Sequence, residues 1–363
     1  MNISEVIALA KERRASDIHM VCGLPIRFRI DGQLQDAYDF VLTREDCERF
    51  GREMAGEDYE KIRSIGELDF AGTYAGIRCR MNLFREQKTT AAAIRLLSDT
   101  IPVLEDLGLP AAVMEFPKYR QGIVLVTGET GSGKSTTLAA LLDRINHTRR
   151  ENIITLEDPI EYVYTPDKCV ISQREIGTDT ESYANGLKAI LREDPDIILI
   201  GEMRSLDTIE TALTAAETGH LVFATLHTNS APDAIDRIVD VFTAEKQAQI
   251  RLQLSMTLRA VLSQQLLVRK GGKGRVAACE VMIPNSAIKN LIREGKSQQI
   301  ASSQATSIQE GNLTMDMALR NLVRDNIIDR ETAMDAAHDQ DYLKKMLSGV
   351  ASGPASGTAA RGW

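Results

Sequence analysis

The chain has 363 residues, 43% hydrophobic and 26% charged, an ordinary globular balance that allows two or three domains with large cores. A formal net charge of −8 speaks against a dedicated nucleic-acid binder, because phosphate contacts need clustered Lys and Arg, although a local basic strip is compatible with it. Cys22, Cys47, Cys79, Cys169 and Cys279 lie far apart without a C-x-x-C pair, and no apolar run nears the ~18 residues of a membrane span. A zinc ribbon, a dense disulfide framework and an integral membrane protein are therefore not expected. The expectation is a soluble cytoplasmic protein with reduced thiols, free to associate peripherally with a membrane.

Residues 1–98 combine a short helix, Ile3 to Arg13, with strand-like pieces "IRFRIDGQL" and "GIRCRMNLF". Asp31-Gly32 breaks the first of these and signals a hairpin, so a compact α+β domain is predicted. The stretch 99–117 carries Pro102, Pro110 and Pro117 and is read as an interdomain linker containing a hinge. From 118 to 284 short aliphatic runs, "GIVLVTG", "NIITLED", "DIILIGE" and "HLVFATL", alternate with helical stretches. Continuous apolar runs suit parallel strands covered on both faces, which makes this core α/β. Residues 285–348 read as helices, and 349–363, rich in Gly, Ala and Ser, as a disordered tail.

Gly128, Glu129, Thr130, Gly131, Ser132, Gly133, Lys134, Ser135 and Thr136 form "GETGSGKST", a G-x-x-x-x-G-K-[ST] loop between a predicted strand and a predicted helix. Such glycines let backbone N–H groups turn inward around phosphates, and the helix N-terminus adds positive potential. Lys134 is placed to reach the β and γ phosphates of ATP, and Ser135 to offer its hydroxyl to Mg²⁺. "LEDPIEY" puts Glu157, Asp158 and Glu161 near the end of the next strand, where a parallel sheet opens its ligand crevice. "DPDIILIGEMR" ends another strand in Glu202, with Gly201 where a P-loop ATPase usually places a magnesium-supporting Asp. His227 ends a third strand in "GHLVFATLHTNSA". A lone histidine is usually structural; three polar strand ends beside one phosphate loop are the layout of a catalytic site.

Taken together, the phosphate loop, "ITLEDPIEY", "IILIGEMR" and "TGHLVFATLHTNSA" resemble, in order and spacing, the ATPases of type IV pili and type II secretion. The N-terminal "RRASDIHM" and "FRIDG" extend the likeness almost to the start. No tetracysteine zinc motif is present, and "AIKNLIRE", Ala287 to Glu294, is similar to the AIRNLIRE signature of PilT-like retraction ATPases, with Lys289 in place of the usual Arg. On periodicity alone that stretch is a helix with Ala287, Ile288, Leu291 and Ile292 on its buried edge.

The resemblance implies a RecA-like P-loop core, an N-terminal PAS-like α+β domain and a C-terminal helical region, assembled as a homohexamer. It further implies ATP hydrolysis with Mg²⁺ to drive pilus retraction and twitching motility, through a platform protein at the inner face of the cytoplasmic membrane, with a second retraction ATPase as a further candidate partner. In that picture Gly201-Glu202 is a family mark rather than a damaged metal site, and Ser135, Glu202 and Glu157 share the metal and the water. Arg78, Arg80 and Arg95 then match arginines that approach the phosphates, and Arg204 is a further candidate. Exposed strand charges or salt bridges explain the same arginines equally well, and Ser205, where the family often has Asp, leaves the pairing of Arg204 open. Other readings are an accessory PilU-type motor, an assembly or secretion ATPase, a nucleic-acid translocase on the same core, and a nucleotide-binding regulator without turnover.

Overall fold

The computed structural model describes residues 1–30, 32–97 and 100–348. The tail expected at 349–363, Asp31 of the hairpin turn, and Ser98 and Asp99 of the expected linker lie outside the described residues. The chain divides into two compact units, residues 1–101 with 159–163, and 102–158 with 164 onward.

The first unit is built on an antiparallel sheet of six strands: β1 (Asp17–Met20), β2 (Arg27–Ile30), β3 (Gln33–Asp36), β4 (Glu67–Tyr74), β5 (Ile77–Glu86) and β6 (Thr89–Leu96), in the order β3-β2-β1-β6-β5-β4. Its helices are α1 (Ile3–Glu12), α2 (Arg44–Ala55) and α3 (Lys61–Ile65). Each of the two longer helices starts in a capping box: Asn2 with Glu5, and Thr43 with Asp46, exchange side-chain and backbone hydrogen bonds, which satisfies N–H groups that the first turn leaves unpaired. Period-2 alternation sends Ile77, Cys79, Met81 and Leu83 inward, where they join Ile7, Ile18, Phe28 and Phe50 in one core. The opposite face of β5 is left to Arg78 and Arg80.

The second unit holds seven strands: β7 (Gly122–Thr127), β8 (Asn152–Glu157), β9 (Val170–Glu175), β10 (Ile197–Ile200), β11 (Leu221–Leu226), β12 (Leu258–Val268) and β13 (Arg275–Met282). The order is β13-β12-β7-β11-β10-β8-β9, parallel throughout except for the antiparallel edge pair β12–β13. Its helices are α4 (Lys134–Thr148), α5 (Tyr183–Ile190), α6 (Leu206–Glu217), α7 (Ala231–Asp240), α8 (Ala244–Thr257), α9 (Ser286–Glu294), α10 (Ile300–Thr306), α11 (Met315–Arg324), α12 (Arg330–Ala336) and α13 (Gln340–Ser348). Every residue of β7, β10 and β11 is buried, as the unbroken aliphatic runs require. Each such Val, Leu, Ile or Phe contributes roughly 1.5–3 kcal/mol of burial free energy.

Two expectations need correction. The Pro-rich stretch from Pro102 to Pro117 is part of the second unit rather than a free linker: two 3-10 turns, Leu104–Leu107 and Ala111–Lys118, bury Leu104, Val113 and Phe116. Arg149 donates to the carbonyls of Pro117 and Tyr119 at 2.8 and 2.7 Å, and Phe116 stacks on Tyr119. The prolines punctuate turns, but the apolar residues between them still find a core. In α9, Ile288 and Ile292 are buried and Leu291 is half-buried, whereas Ala287 is exposed. At 100° per residue Ala287 stands to one side of the stripe formed by 288, 291 and 292. Asn285 caps this helix by accepting the N–H of Ile288 at 2.9 Å, and Gly295 (φ 67°) ends it.

Candidate functional site

In the second unit, β7 runs into the loop 128–133, and α4 begins at Lys134. Gly128 (φ 138°) has no room for a side chain: a Cβ there would lie 2.3 Å from the Gln264 carbonyl oxygen and 2.7 Å from Ser132 Oγ. Gly133 (φ 94°) is the N-cap of α4, so no side chain occupies the positive end of a helix of 15 residues. Lys134 is buried and folds back over the loop, donating from Nζ to the carbonyls of Gly128 at 2.7 Å and Glu129 at 2.9 Å. Ser132 Oγ is buried without a hydrogen-bond partner. A glycine-rich loop at a helix N-terminus, with an orphaned buried hydroxyl, fits a polyphosphate.

The neighbouring strands bring the polar ends together. Glu157 closes β8; its Oε1 accepts Thr155 Oγ1 at 2.6 Å and Gln173 Nε2 at 3.1 Å, the latter from β9, where Gln173 lies opposite Thr155. After β10, Gly201 donates its N–H to the Leu156 carbonyl at 2.7 Å and accepts a hydrogen bond from Thr225 Oγ1, while Met203 N–H reaches the Thr225 carbonyl at 3.1 Å. The segment is thus stitched between the ends of β8 and β11. A Cβ on residue 201 would meet Tyr183 Oη at 2.9 Å, the Leu156 carbonyl oxygen at 3.0 Å and Glu157 Cα at 3.3 Å. A side chain at 201 would need Tyr183 and the backbone at 156–157 to give by a few tenths of an ångström, which favours Gly201 where an Asp would usually be.

Glu202 takes its place at the crevice. Its Oε1 pairs with His227 Nε2 at 2.9 Å and with Arg204 Nε. The pairing of Arg204, left open by Ser205, is thereby defined, and Ser205 has a separate task as the N-cap of α6, accepting the N–H of Thr208. Asn229, two residues after His227, donates Nδ2 to Glu129 Oε1 at 3.3 Å, which links the histidine loop to the phosphate loop. Thr228 Oγ1, beside it in sequence, is buried and unpartnered.

Four contributors escaped the sequence reading: Thr155, Gln173, Tyr183 and Asn229. Tyr183 opens α5 and places its hydroxyl next to position 201. Burial, and then the carboxylates of Asp158, Glu202 and Glu157, push that hydroxyl well above the ordinary tyrosine range, so it remains an O–H donor among acids. Only Asn229, inside the motif "LHTNS", carried a readable signal.

Arg78, Arg80 and Arg95 belong to the first unit. Arg80 on β5 is opposite Arg95 on β6, which is opposite Asp17 on β1. Arg95 Nε donates to Asp17 Oδ1 at 2.9 Å, and Arg29 lies 3.8 Å from Oδ2 of the same carboxylate. Burial opposes ionisation of Asp17, but hydrogen bonds from Ser16 and Arg95 outweigh it and hold the carboxyl below its usual range. Arg78 Nε donates to the Ile160 carbonyl at 3.4 Å.

Among the described residues no group of three or more His, Cys, Asp or Glu could hold a metal unaided. The oxygen donors available, the Ser135 hydroxyl with the carboxylates of Glu157 and Glu202, fit Mg²⁺, which characteristically takes few protein ligands and completes its shell with phosphate oxygens and water. No described helix is long and apolar enough to cross a membrane.

The family profile "Type II/IV secretion system protein" matches residues 1–356. The chain is 44% identical over 339 residues to the type IV pilus retraction ATPase PilT of Pseudomonas aeruginosa, covering 93% of this chain and 98% of that protein. It is 48% identical over 278 residues to a twitching motility protein of Neisseria gonorrhoeae, covering 76% and 74%. A crystal structure of the pilus retraction motor PilT with bound ADP superimposes with a TM-score of 0.89 at 47% identity, over 95% of this chain and 99% of that one. These likenesses span both units, and with the P-loop geometry described above they make the chain a member of the type II/IV secretion system protein family, among its PilT-like members.

Proposed function

We propose that this chain is an ATP-hydrolysing motor that powers type IV pilus retraction, working as a homohexamer on a platform protein at the cytoplasmic face of the inner membrane. The observation that carries this reading is the convergence of the phosphate loop, Glu157 and the Glu202–His227–Arg204 set at one edge of a parallel sheet, in a chain whose relatives include a pilus retraction ATPase.

Ser135, with Glu157 and Glu202, would hold Mg²⁺, which when bound would supply positive charge against that developing on the γ phosphoryl group. Lys134 exchanges the neutral carbonyls of Gly128 and Glu129 for phosphate oxygens, a stronger charge-assisted bond. Arg204 and His227 already share Glu202 Oε1 and are poised to turn toward an arriving anion without losing their own partner. Thr155 Oγ1 and Gln173 Nε2 donate to Glu157 Oε1 and orient its carboxylate, which is suited to accept a proton from water. This assigns orientation of the attacking water to Glu157 and sensing of the γ phosphate to the Glu202 set. Arg78 and Arg80 supply further positive charge from the N-terminal unit; Arg95 does so only by leaving Asp17. A second retraction ATPase is a compatible partner, and nucleic acid is not.

The test is hydrolysis by the purified protein. Lys134→Ala is expected to cost at least about 10²-fold in turnover, the scale of removing one electrostatic contact to the transition state. A rate equal to that of the parent protein refutes the site. Deleting the gene separates retraction, where surface pili accumulate and twitching is lost, from assembly, where pili are absent. Stimulation of hydrolysis by DNA would instead favour a translocase.

A further inference from the structure

Glu280 on β13 is a carboxylate that the mechanism above does not use. It is 3% exposed, yet it has defined partners on two sides. Its Oε1 accepts the backbone N–H of Ala231 at 3.3 Å and Gln304 Nε2 at 3.1 Å, and its Oε2 lies 3.8 Å from His338 Nδ1. Ala231 is the first residue of α7, four positions after His227, and Ser230 before it is the cap of that helix. Gln304 is on α10 and His338 in the turn before α13, so both come from the C-terminal helices. Asp316 on α11 fixes that turn by accepting the N–H groups of His338 at 2.9 Å and Asp339 at 3.2 Å.

We infer that Glu280 is a positioning residue for the histidine loop: it anchors the start of α7 from behind and ties the loop that presents His227 and Asn229 to the C-terminal helices. This rests on the reading of the His227 crevice as an ATP-hydrolysing site. A carboxylate is suited to the task because it faces the positive end of α7. The charged groups around it are Asp233 on α7, Asp316 on α11 and His338; the facing strand β12 offers the neutral Ser263. Burial, only partly relieved by the hydrogen bonds from Gln304 and Ala231, pushes the carboxyl up to about 7. Near neutral pH the anchor alternates between a charged and a neutral form, and the C-terminal helices feel the change through His338 and Gln304.

The experiment compares full-length parent protein with Glu280→Ala, which removes the acceptor, and Glu280→Gln, which keeps an acceptor oxygen but cannot ionise. Glu280→Ala is expected to lower kcat about tenfold or more with KM for ATP within about twofold, as misplacement of a catalytic group does. Glu280→Gln is expected to retain activity and lose the inflection of kcat near pH 7. Hydrogen exchange of amides 228–234, followed by mass spectrometry without nucleotide, is expected to quicken about tenfold in Glu280→Ala and in Gln304→Ala. Unchanged exchange in both variants, or a Glu280→Gln pH profile identical to that of the parent, overturns the inference. Should Glu280→Ala fail to fold, Gln304→Ala and His338→Ala decide by the same exchange criterion. Quickened exchange in a protein that does not hydrolyse ATP would support the anchor while refuting the proposed activity.

Discussion

The two sheets of this molecule handle charge in opposite ways. In the first unit an antiparallel sheet buries one face and leaves the other open, so charged side chains sit mid-strand: Arg29, Asp17, Arg95 and Arg80 form a row across β2, β1, β6 and β5. In the second unit the central strands β7, β10 and β11 are buried throughout their length, and polar chemistry is displaced to their carboxyl ends, at Glu157, Glu202 and His227. A row on an open face is tolerant, since its arginines Arg29 and Arg95 stay exposed and such pairs are worth little. A cluster at strand ends is less tolerant, because the segment that carries it is tied by backbone hydrogen bonds to both neighbouring strands. The same residue types lie along an open sheet face in one place and at the ends of buried strands in the other, and the sheet topology makes the difference.

Substitutions that sever the strand ends test this contrast most strongly. Glu157→Gln and Glu202→Gln are each expected to reduce ATP turnover by about 10²-fold while nucleotide binding, measured by titration calorimetry, is spared. Full activity in either variant removes that residue from the mechanism. Gly201→Asp, which restores the common acid at this position, is expected to lower activity and destabilise the protein by roughly 1–3 kcal/mol, visible as a lower melting temperature, because the new Cβ meets Leu156, Glu157 and Tyr183. An active and fully stable Gly201→Asp protein would show that the tight packing at the strand ends is not real.

A pH-dependent effect distinguishes a fully buried acid from a half-buried one. The folded-state pKa of Glu280 is raised to about 7 from an ordinary 4.5. The group therefore favours the folded state fully below about pH 4.5, and this contribution fades as pH rises through about 7, a change on the order of 3 kcal/mol. Glu280→Gln should flatten this part of the stability–pH curve, as followed by urea denaturation. Asp17→Asn, on the open face, is expected to shift stability by less than about 1 kcal/mol. A larger loss would place the Arg29–Asp17–Arg95 row among the packed networks of the second unit.

Much of this was legible in the residues themselves. Each of the four aliphatic runs became a parallel strand, and each of Glu157, Glu202 and His227 stands at or just past a strand end, because a strand buried on both faces leaves no other place for a charge. The loop 128–136 was readable because its glycines answer local backbone demands, which sequence encodes directly. Lost to the reading were Tyr183 and Gln173, which reach the site from a helix and an edge strand with no pattern to mark them. The stretch 102–117 was misread as a linker since prolines and glycines report turns and say nothing of whether the turns are packed.

The sequence by itself determined the phosphate loop, the alternation of strand and helix, and the set of acids and histidine awaiting a partner, all of which depend on local periodicity and backbone freedom. Tertiary structure alone decided which of them meet. It brought His227 and Arg204 onto Glu202, placed Thr155 and Gln173 against Glu157, paired Arg95 with Asp17, and left little room for a side chain at residue 201. Those outcomes depend on strand order and on distances of about 3 Å between segments remote in the chain, within hydrogen-bonding range, which no local pattern records.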